Sequence, residues 1–593
     1  MKNKPKQHLW SFTWKISSWY ASCMGTCLLI LMVHAALAQK KTMQKSKTDF
    51  GVVFNEDGDF AFLSPDPVLA EKLLRLNVAS HAALGVKTYT FSIGAGSDVL
   101  YYNTKIASPY GWRKTKYELQ DSGWAARLRS ARTCIASGLD AVNIAGKEAR
   151  RQGMLFVPSM RMNDSHFMAD PYNYPLTGKF WVDNGEKYKI GSSPILFDKN
   201  YGNLFDYSHK EVRGFRYAVF NEAVELHKDI IDGFELDFNR VQVFFPKGKA
   251  NEGMPYMTAL LRSMRQRLNA LSKEKGKPMY LFVRIPPSME SCVHAGLDIQ
   301  TWIKEGLVDL VSPSQLMTLA HDMPIQDMIK LAKQNDVQVY PSLFPRTSFR
   351  KAMVPSAEDL GLEHAYGRKA TLPELMGAAS NYAAMGADGF YLFNFKGGEK
   401  DEGFRPHPDW MYALVGTLKT SMSYTGEKVY AVTKTYYNDN QLPSYAYAKK
   451  LPLRIQQKTT FQILVGEHLS DSVFPVKSCV LRLGLGEKEK MPLSVRLNGT
   501  ELLPVHAFDE LSSTTNKKLP PDLAMNTVVY AINEPMILKK GINEVEVDAG
   551  NALVTDIEIG MSHYNQLDLF MLGKKIPPIN QFLKNYNHIQ KEK

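Results

Sequence analysis

Cysteine is scarce in this chain: there are five, and only Cys134, Cys292 and Cys479 lie beyond residue 38. They are widely separated and match no metal-ligand spacing. That excludes a fold stapled by disulfides and a zinc site built on thiolates. No Gly-rich phosphate fingerprint follows the first predicted strand, which argues against a dinucleotide fold. A GxSxG elbow is absent, and Cys292 lacks a partner pattern for nucleophilic catalysis. Asp164-x-His166 supplies two metal ligands at most, with no second pair at matching spacing, so neither metal nor cofactor is expected.

Long apolar runs are also missing, apart from "CLLILMVHAA" at 27–36. That run is shorter than the roughly 20 residues a spanning helix needs. Lys2, Lys4, Lys6 and Lys15 precede it and "ALA" at 36–38 follows it. The pattern predicts a secretory signal peptide cleaved after Ala38, an exported (secreted or periplasmic) protein, and no membrane span in the mature chain. The alternative is an uncleaved anchor. Losing four lysines and no acid lowers the formal charge from +12 to +8. That is modest for this length and is no nucleic-acid signature.

What is present is a globular composition, 44% hydrophobic and 22% charged. Eight short β-rich runs alternate with helical patterns: "FGVVFN" (50–55), "KTYTFSIG" (87–94), "MLFVPSMR" (154–161), "DGFELDF" (232–238), "MYLFVRIP" (279–286), "VDLVSPS" (308–314), "VQVYPSLF" (337–344) and "ADGFYLFNF" (387–395). Helical patterns occupy 68–84, 136–153 and 212–228. Eight βα units predict an α/β fold, a (β/α)8 barrel over 49–420; a doubly wound open sheet is the alternative. The long polar segment 162–211 is expected to wall the site at the carboxyl ends of the strands. A stretch at 421–449 reads as a linker. Short alternating strands with a turn at Asn498–Gly499 predict a β-sandwich over 450–573, jelly-roll-like, followed by a polar tail at 574–593.

The stretch "DGFELDFNR" (232–240) carries the chemistry. Strand alternation puts Phe234, Leu236 and Phe238 on one face and Glu235, Asp237 and Asn239 on the other. An ordinary parallel strand is apolar on both faces. The acids are therefore expected at the barrel mouth, open to water and substrate. Other strand ends add Arg161, Asn163, Asp164 and His166 from strand three, and Arg240 from strand four. Arg284 comes from strand five, Arg346 follows strand seven, and Asn394 and Lys396 close strand eight. Glycosidic cleavage needs two carboxyl groups with pKa values pushed apart. Glu235 and Asp237 have Cα atoms roughly 6–7 Å apart, with Asp164 or Glu290 as a third acid from elsewhere. The alternative is a structural network of Glu235, Asp237, Arg161 and Arg240. The arginines either bind an anionic glycan or balance the acids. Trp112, Trp124, Trp181 and Tyr110 are candidates to stack on sugar rings, or else pack loops.

"DGFELDFNR" with "RMNDSH" (161–166) resembles the barrel glycoside hydrolases, especially bacterial family-10-like proteins. "ELDFNR" is similar to the strand-four end of the α-galactosidase group. That resemblance implies Asp237 as nucleophile, with Asn239 and Arg240 also matching. Its strand-six acid/base has no counterpart in "VDLVSPSQL". Asp232, Glu235 and Asp237 resemble the family-18 chitinase strand, where Asn239 stands in place of the proton donor. "VRLNGTEL" with "LKKGINEVEV" resembles galactose-binding-like jelly rolls. The expected partner is a poly- or oligosaccharide, cleaved by carboxylate catalysis with Asp237 first and Glu235 second. A non-catalytic carbohydrate-binding barrel is the rival.

Overall fold

The computed structural model describes residues 48–564 with breaks, the longest at 348–369, 396–406, 435–450 and 506–526. Residues 1–47, residues 565–593 and Lys396 lie outside the described residues, and with them the predicted signal peptide and tail. All eight predicted runs contribute strands to one parallel sheet. In chain order these are β1 (Val52–Glu56), β2 (Thr88–Ser92), β3 (Leu155–Arg161), β4 (Gly233–Asp237), β5 (Tyr280–Ile285), β6 (Leu310–Pro313), β7 (Gln338–Val339), β8 (Ser342–Leu343) and β9 (Phe390–Phe393). The spatial order is β7-β6-β5-β4-β3-β2-β1-β9-β8. The seventh run becomes two strands because Pro341 has no N–H to offer a ladder. The strands at the two ends of the order are thus contiguous in the chain. Tyr340 N donates to Val311 O on one side, while Asp388 N and Tyr391 N donate to Val339 O and Pro341 O on the other.

The sheet is strongly curled. Phe50, at the entry to β1, has its ring centroid 4.9 Å from those of Tyr280 and Phe282 on β5. In a flat sheet four strands apart means about 19 Å. Curling separates two apolar layers. Alternate residues Val53, Val157, Phe282, Leu310, Tyr340, Tyr391 and Phe393 form a cluster inside the curl. Their neighbours Phe54, Phe156, Phe234, Leu236, Leu281, Val283 and Leu392 join the larger cluster under the helices.

At the amino ends of the strands one device occurs three times. Asp232 N donates to Phe156 O and its carboxylate accepts from Phe156 N at 3.0 Å. Asp309 does the same with Leu281, and Asp388 with Val339, at 2.7 and 2.9 Å. Each aspartate precedes a strand and clasps a residue of an earlier one, on β3, β5 and β7 respectively. Asp232 therefore belongs to the end opposite Asp237, where Lys277 also pairs with it at 2.8 Å.

The helices follow their caps. Asp66 accepts from Val68 N and Leu69 N to start Pro67–Leu84, and Gly85 ends it at φ 93°. The predicted 136–153 helix is shortened to Ala141–Arg151, because Asp140 caps it by accepting from Asn143 N, and Ser122–Ala136 before it is a separate helix that was not predicted.

The carboxyl-terminal part holds two antiparallel sheets over one core. The first contains β10 (Lys428–Ala431), β11 (Leu453–Ile455), β13 (Val476–Leu485), β16 (Thr527–Ala531) and β18 (Ala552–His563). The second contains β12 (Thr459–Val465), β14 (Ser494–Leu497), β15 (Thr500–Glu501) and β17 (Gly541–Asp548). Leu481, Leu483, Ile557 and Ile559 from one sheet meet Phe461, Ile463, Val545 and Val547 from the other. Asn498 and Gly499 have φ of 49° and 85°, the hairpin turn expected between β14 and β15. One expectation changes: β10 falls within the stretch read as linker. Its Lys428–Ala431 pairs antiparallel with β18, and Tyr430 is fully buried. Burial on both sides makes it a strand, although its sequence alternates poorly. Among the described residues no helix is long and apolar enough to cross a membrane.

Candidate active site

The polar front of β4 points into the curl at the carboxyl ends of the strands. Register sets Ser159 beside Glu235, and Arg161 and Arg284 on either side of Asp237, with Ser312 next to Arg284. The two acids do share a face, as strand alternation requires. They are not open to water, however: Glu235 is 0% and Asp237 2% exposed. Sequence alternation predicts which way a side chain points, whereas the curl and the facing strands decide what covers it.

Glu235 Oε1 accepts from the Tyr391 hydroxyl at 2.9 Å, a bond that crosses the inside of the curl from β9. Tyr391 is within 3.3 Å of Thr90 Oγ1, which accepts from Asn55 Nδ2 at 3.0 Å. Glu235 Oε2 has no hydrogen-bond partner. Burial, followed by the charge of Asp237, pushes the Glu235 carboxyl up to about 7 against the pull of Ser159, Tyr391 and Arg284. Asp237 is held differently. Its Oδ1 accepts from Asn239 N at 2.9 Å, and its Oδ2 pairs with Arg284 Nη2 at 3.0 Å. The Arg284 guanidinium lies 3.6 Å from the centroid of the Phe393 ring, and Arg240 lies 5.6 Å from it.

A second cluster adjoins it. Arg161 pairs with Asp57 at 3.0 Å and with Asp164 at 2.7 Å, and Arg240 pairs with Asp57 at 3.3 Å. Burial opposes the charge on Arg161, but Asp57 and Asp164 raise its pKa well above the ordinary value. Asp164 is a fully occupied anchor and not a free third acid. Its oxygens accept from Arg161, Gly96 N at 3.1 Å, His166 N at 2.9 Å and His166 Nδ1. Burial alone would raise its pKa; His166, Arg161 and Arg240 hold it well below the carboxylate range. Behind it Arg216 donates to Arg161 O and pairs with Asp98.

The remaining predicted residues divide. Asn239 donates to Ser314 O at 2.9 Å and accepts from Gln242 at 2.5 Å, so its amide ties loops together. Asn163 does likewise, donating to Val243 O at 2.7 Å and Phe205 O at 3.3 Å. The His166 side chain is 40% exposed beside Asp164. Asn394 has φ 58° and a buried, unpartnered Oδ1 at the end of β9. Arg346 is half-buried, and its carbonyl accepts from Leu319 N. Trp112 is half-buried, donating to Thr177 O at 3.0 Å with Arg113 against its ring. Trp181 and Tyr110 are core residues, and Trp124 packs edge-on against Tyr174. Glu290 sits in the first turn of Met289–His294.

Sequence reasoning missed Asp57, Asn55, Tyr391 and Phe393. Asp57 was findable: "FNEDGD" (54–59) is the end of strand one, and the strand-end rule applies to it as to the others. Tyr391 and Phe393 read as ordinary strand aromatics, and only the curl brings them to Glu235 and Arg284. Among the described residues no group of three His, Cys, Asp or Glu side chains is placed to hold a metal.

No protein-family model and no curated protein matches the chain. Solved structures similar to it include alpha-L-fucosidase isoenzyme 1 from Paenibacillus thiaminolyticus, at 12% identity and TM-score 0.30, covering 85% of this chain and 96% of that one. A GH29 alpha-L-fucosidase from Bacteroides thetaiotaomicron is 11% identical with TM-score 0.35, covering 86% and 95%. A GH36 alpha-galactosidase from Geobacillus stearothermophilus is 11% identical with TM-score 0.31, covering 87% and 56%. These neighbours are glycoside hydrolases. At such scores the likeness carries no residue correspondence.

Proposed function

We propose that this protein is an exported glycoside hydrolase that cleaves a poly- or oligosaccharide with Asp237 and Glu235. One observation carries the reading. Two carboxyl groups lie on one face of one strand, one in an ion pair with Arg284 and the other pushed up to about 7 with a free oxygen. Splitting a carboxyl pair this way supplies a proton donor and an anion together, which glycosidic cleavage requires. Asp237 is the anion, as nucleophile or as base toward water, and Glu235 Oε2 carries the transferable proton. Arg284, set by the Phe393 ring, orients Asp237.

The same reading takes the nine-stranded sheet as a closed eight-run barrel whose seventh strand is interrupted at Pro341, and the chain as a family-10-like barrel hydrolase on the strength of "DGFELDFNR" and "RMNDSH". Residues 1–38 are its export signal. The second reading, a carbohydrate-binding barrel without catalysis, is favoured by the two bonds that already occupy both oxygens of Asp237. The pH dependence of kcat/KM separates the two. Wild type is expected to show a bell whose alkaline limb lies near pH 7; Asp237→Asn and Glu235→Gln should each lose at least ~100-fold. Glycan binding by all three proteins without cleavage would select the second reading.

A further inference from the structure

Three arginines of the candidate site are already matched within the protein. Arg161 faces Asp57 and Asp164, Arg240 faces Asp57, and Arg284 faces Asp237, so three guanidinium groups meet three carboxylates. Arg161 and Arg284 are 8% and 2% exposed. A uronate or sulfate entering here would have to displace a carboxylate from its arginine and leave it buried without a counter-charge, which is strongly unfavourable. It would also bring a negative charge up to Asp237 and Glu235, disfavouring ionisation of both.

What the site leaves available is different in kind. Four side chains at least nine-tenths buried end in polar atoms without a hydrogen-bond partner: Glu235 Oε2, Arg284 Nε, Ser312 Oγ and Asn55 Oδ1. Buried polar atoms are nearly always satisfied, so four on the inner face of one curled sheet point to polar groups of a ligand. Arg284 and Ser312 are register neighbours. Asn55 is linked through Thr90 and Tyr391 to Glu235. The set contains donors and acceptors side by side. Hydroxyl groups, which both donate and accept, complement such a set; anions, which only accept, do not.

We propose that this site takes an uncharged, hydroxyl-rich sugar, and that its arginines position carboxylates instead of binding anionic substituents. The proposal rests on the glycosidase reading above. It is tested on the wild-type full chain with 4-nitrophenyl glycosides of neutral hexoses and 6-deoxyhexoses, each hexoside beside its uronide or 6-sulfate counterpart. Asp237→Asn serves only to assign the cleavage. Nitrophenol release from a neutral glycoside, with kcat/KM at least ~100-fold lower for the charged counterpart, is the expected result. Equal or faster cleavage of the charged member would overturn this inference and leave the glycosidase reading standing. No release from any glycoside, or release unchanged in Asp237→Asn, would overturn the glycosidase reading and this inference with it.

Discussion

The surroundings of Glu235 oppose its ordinary chemistry. Burial and then Asp237 raise its pKa from 4.5 to about 7. Between those pH values the folded chain holds a proton that the unfolded chain has released. Stability therefore falls as pH rises through that window, by ~3 kcal/mol in all, and this group adds no slope below or above it. Glu235→Gln should remove the slope, so that urea unfolding of the variant at pH 5 and pH 8 differs by less than in wild type. A group's own ionisation also depends on what donates to it. Tyr391→Phe deletes the donor to Oε1 and so withdraws support from the ionised form. The alkaline limb of kcat/KM should move up by about 0.5–1 pH unit. A purely structural tyrosine would lower activity without moving the limb.

Among the elements, the strand starts show how register is held. Asp232, Asp309 and Asp388 each exchange two bonds with one residue of an earlier strand. The motif is visible in hindsight as "DGF" at 232 and at 388. Asp388→Ala would leave the Val339 N–H without its partner, at a cost of ~1–3 kcal/mol, readable as a lower urea midpoint with an unchanged m-value. Strand four was legible because its alternation is clean: apolar Phe234 and Leu236 face the helices, and Glu235 and Asp237 face inward. β10 was not legible, since pairing with β18 and packing on a helix, more than its own pattern, make it a strand.

In the whole molecule, the antiparallel sheets are packed tightly against the helix Leu372–Met385. Asn381 donates to Leu464 O at 3.0 Å and to His321 O at 2.8 Å, and Thr433 Oγ1 accepts from His321 N at 3.0 Å. Gly377 and Gly466 permit this approach: a Cβ on Gly377 would lie 2.0 Å from Val429 O, and one on Gly466 2.5 Å from Ser380 O. Gly377→Ala should therefore destabilise by ~1–3 kcal/mol although alanine favours helix. A shared interface of this kind also couples unfolding. Calorimetry of the wild-type protein should show one transition for both parts, and two separated transitions would contradict the tight docking.

By itself the sequence determined the eight β runs, the inward face of strand four, and the antiparallel character of the carboxyl-terminal part, because all of these follow from local alternation and turn chemistry. It also named Glu235, Asp237, Arg161, Arg240 and Arg284, which the structure brings together. Only the tertiary structure decided their roles. Asp164 and Asn239 became anchors, Asp57 joined two arginines, and Tyr391 and Phe393 reached Glu235 and Arg284 from β9, four strands away from β4 in the sheet order. The physical reason is that hydrogen bonding, ion pairing and desolvation act between side chains close in space, and the curl of the sheet, which no single strand encodes, sets those distances.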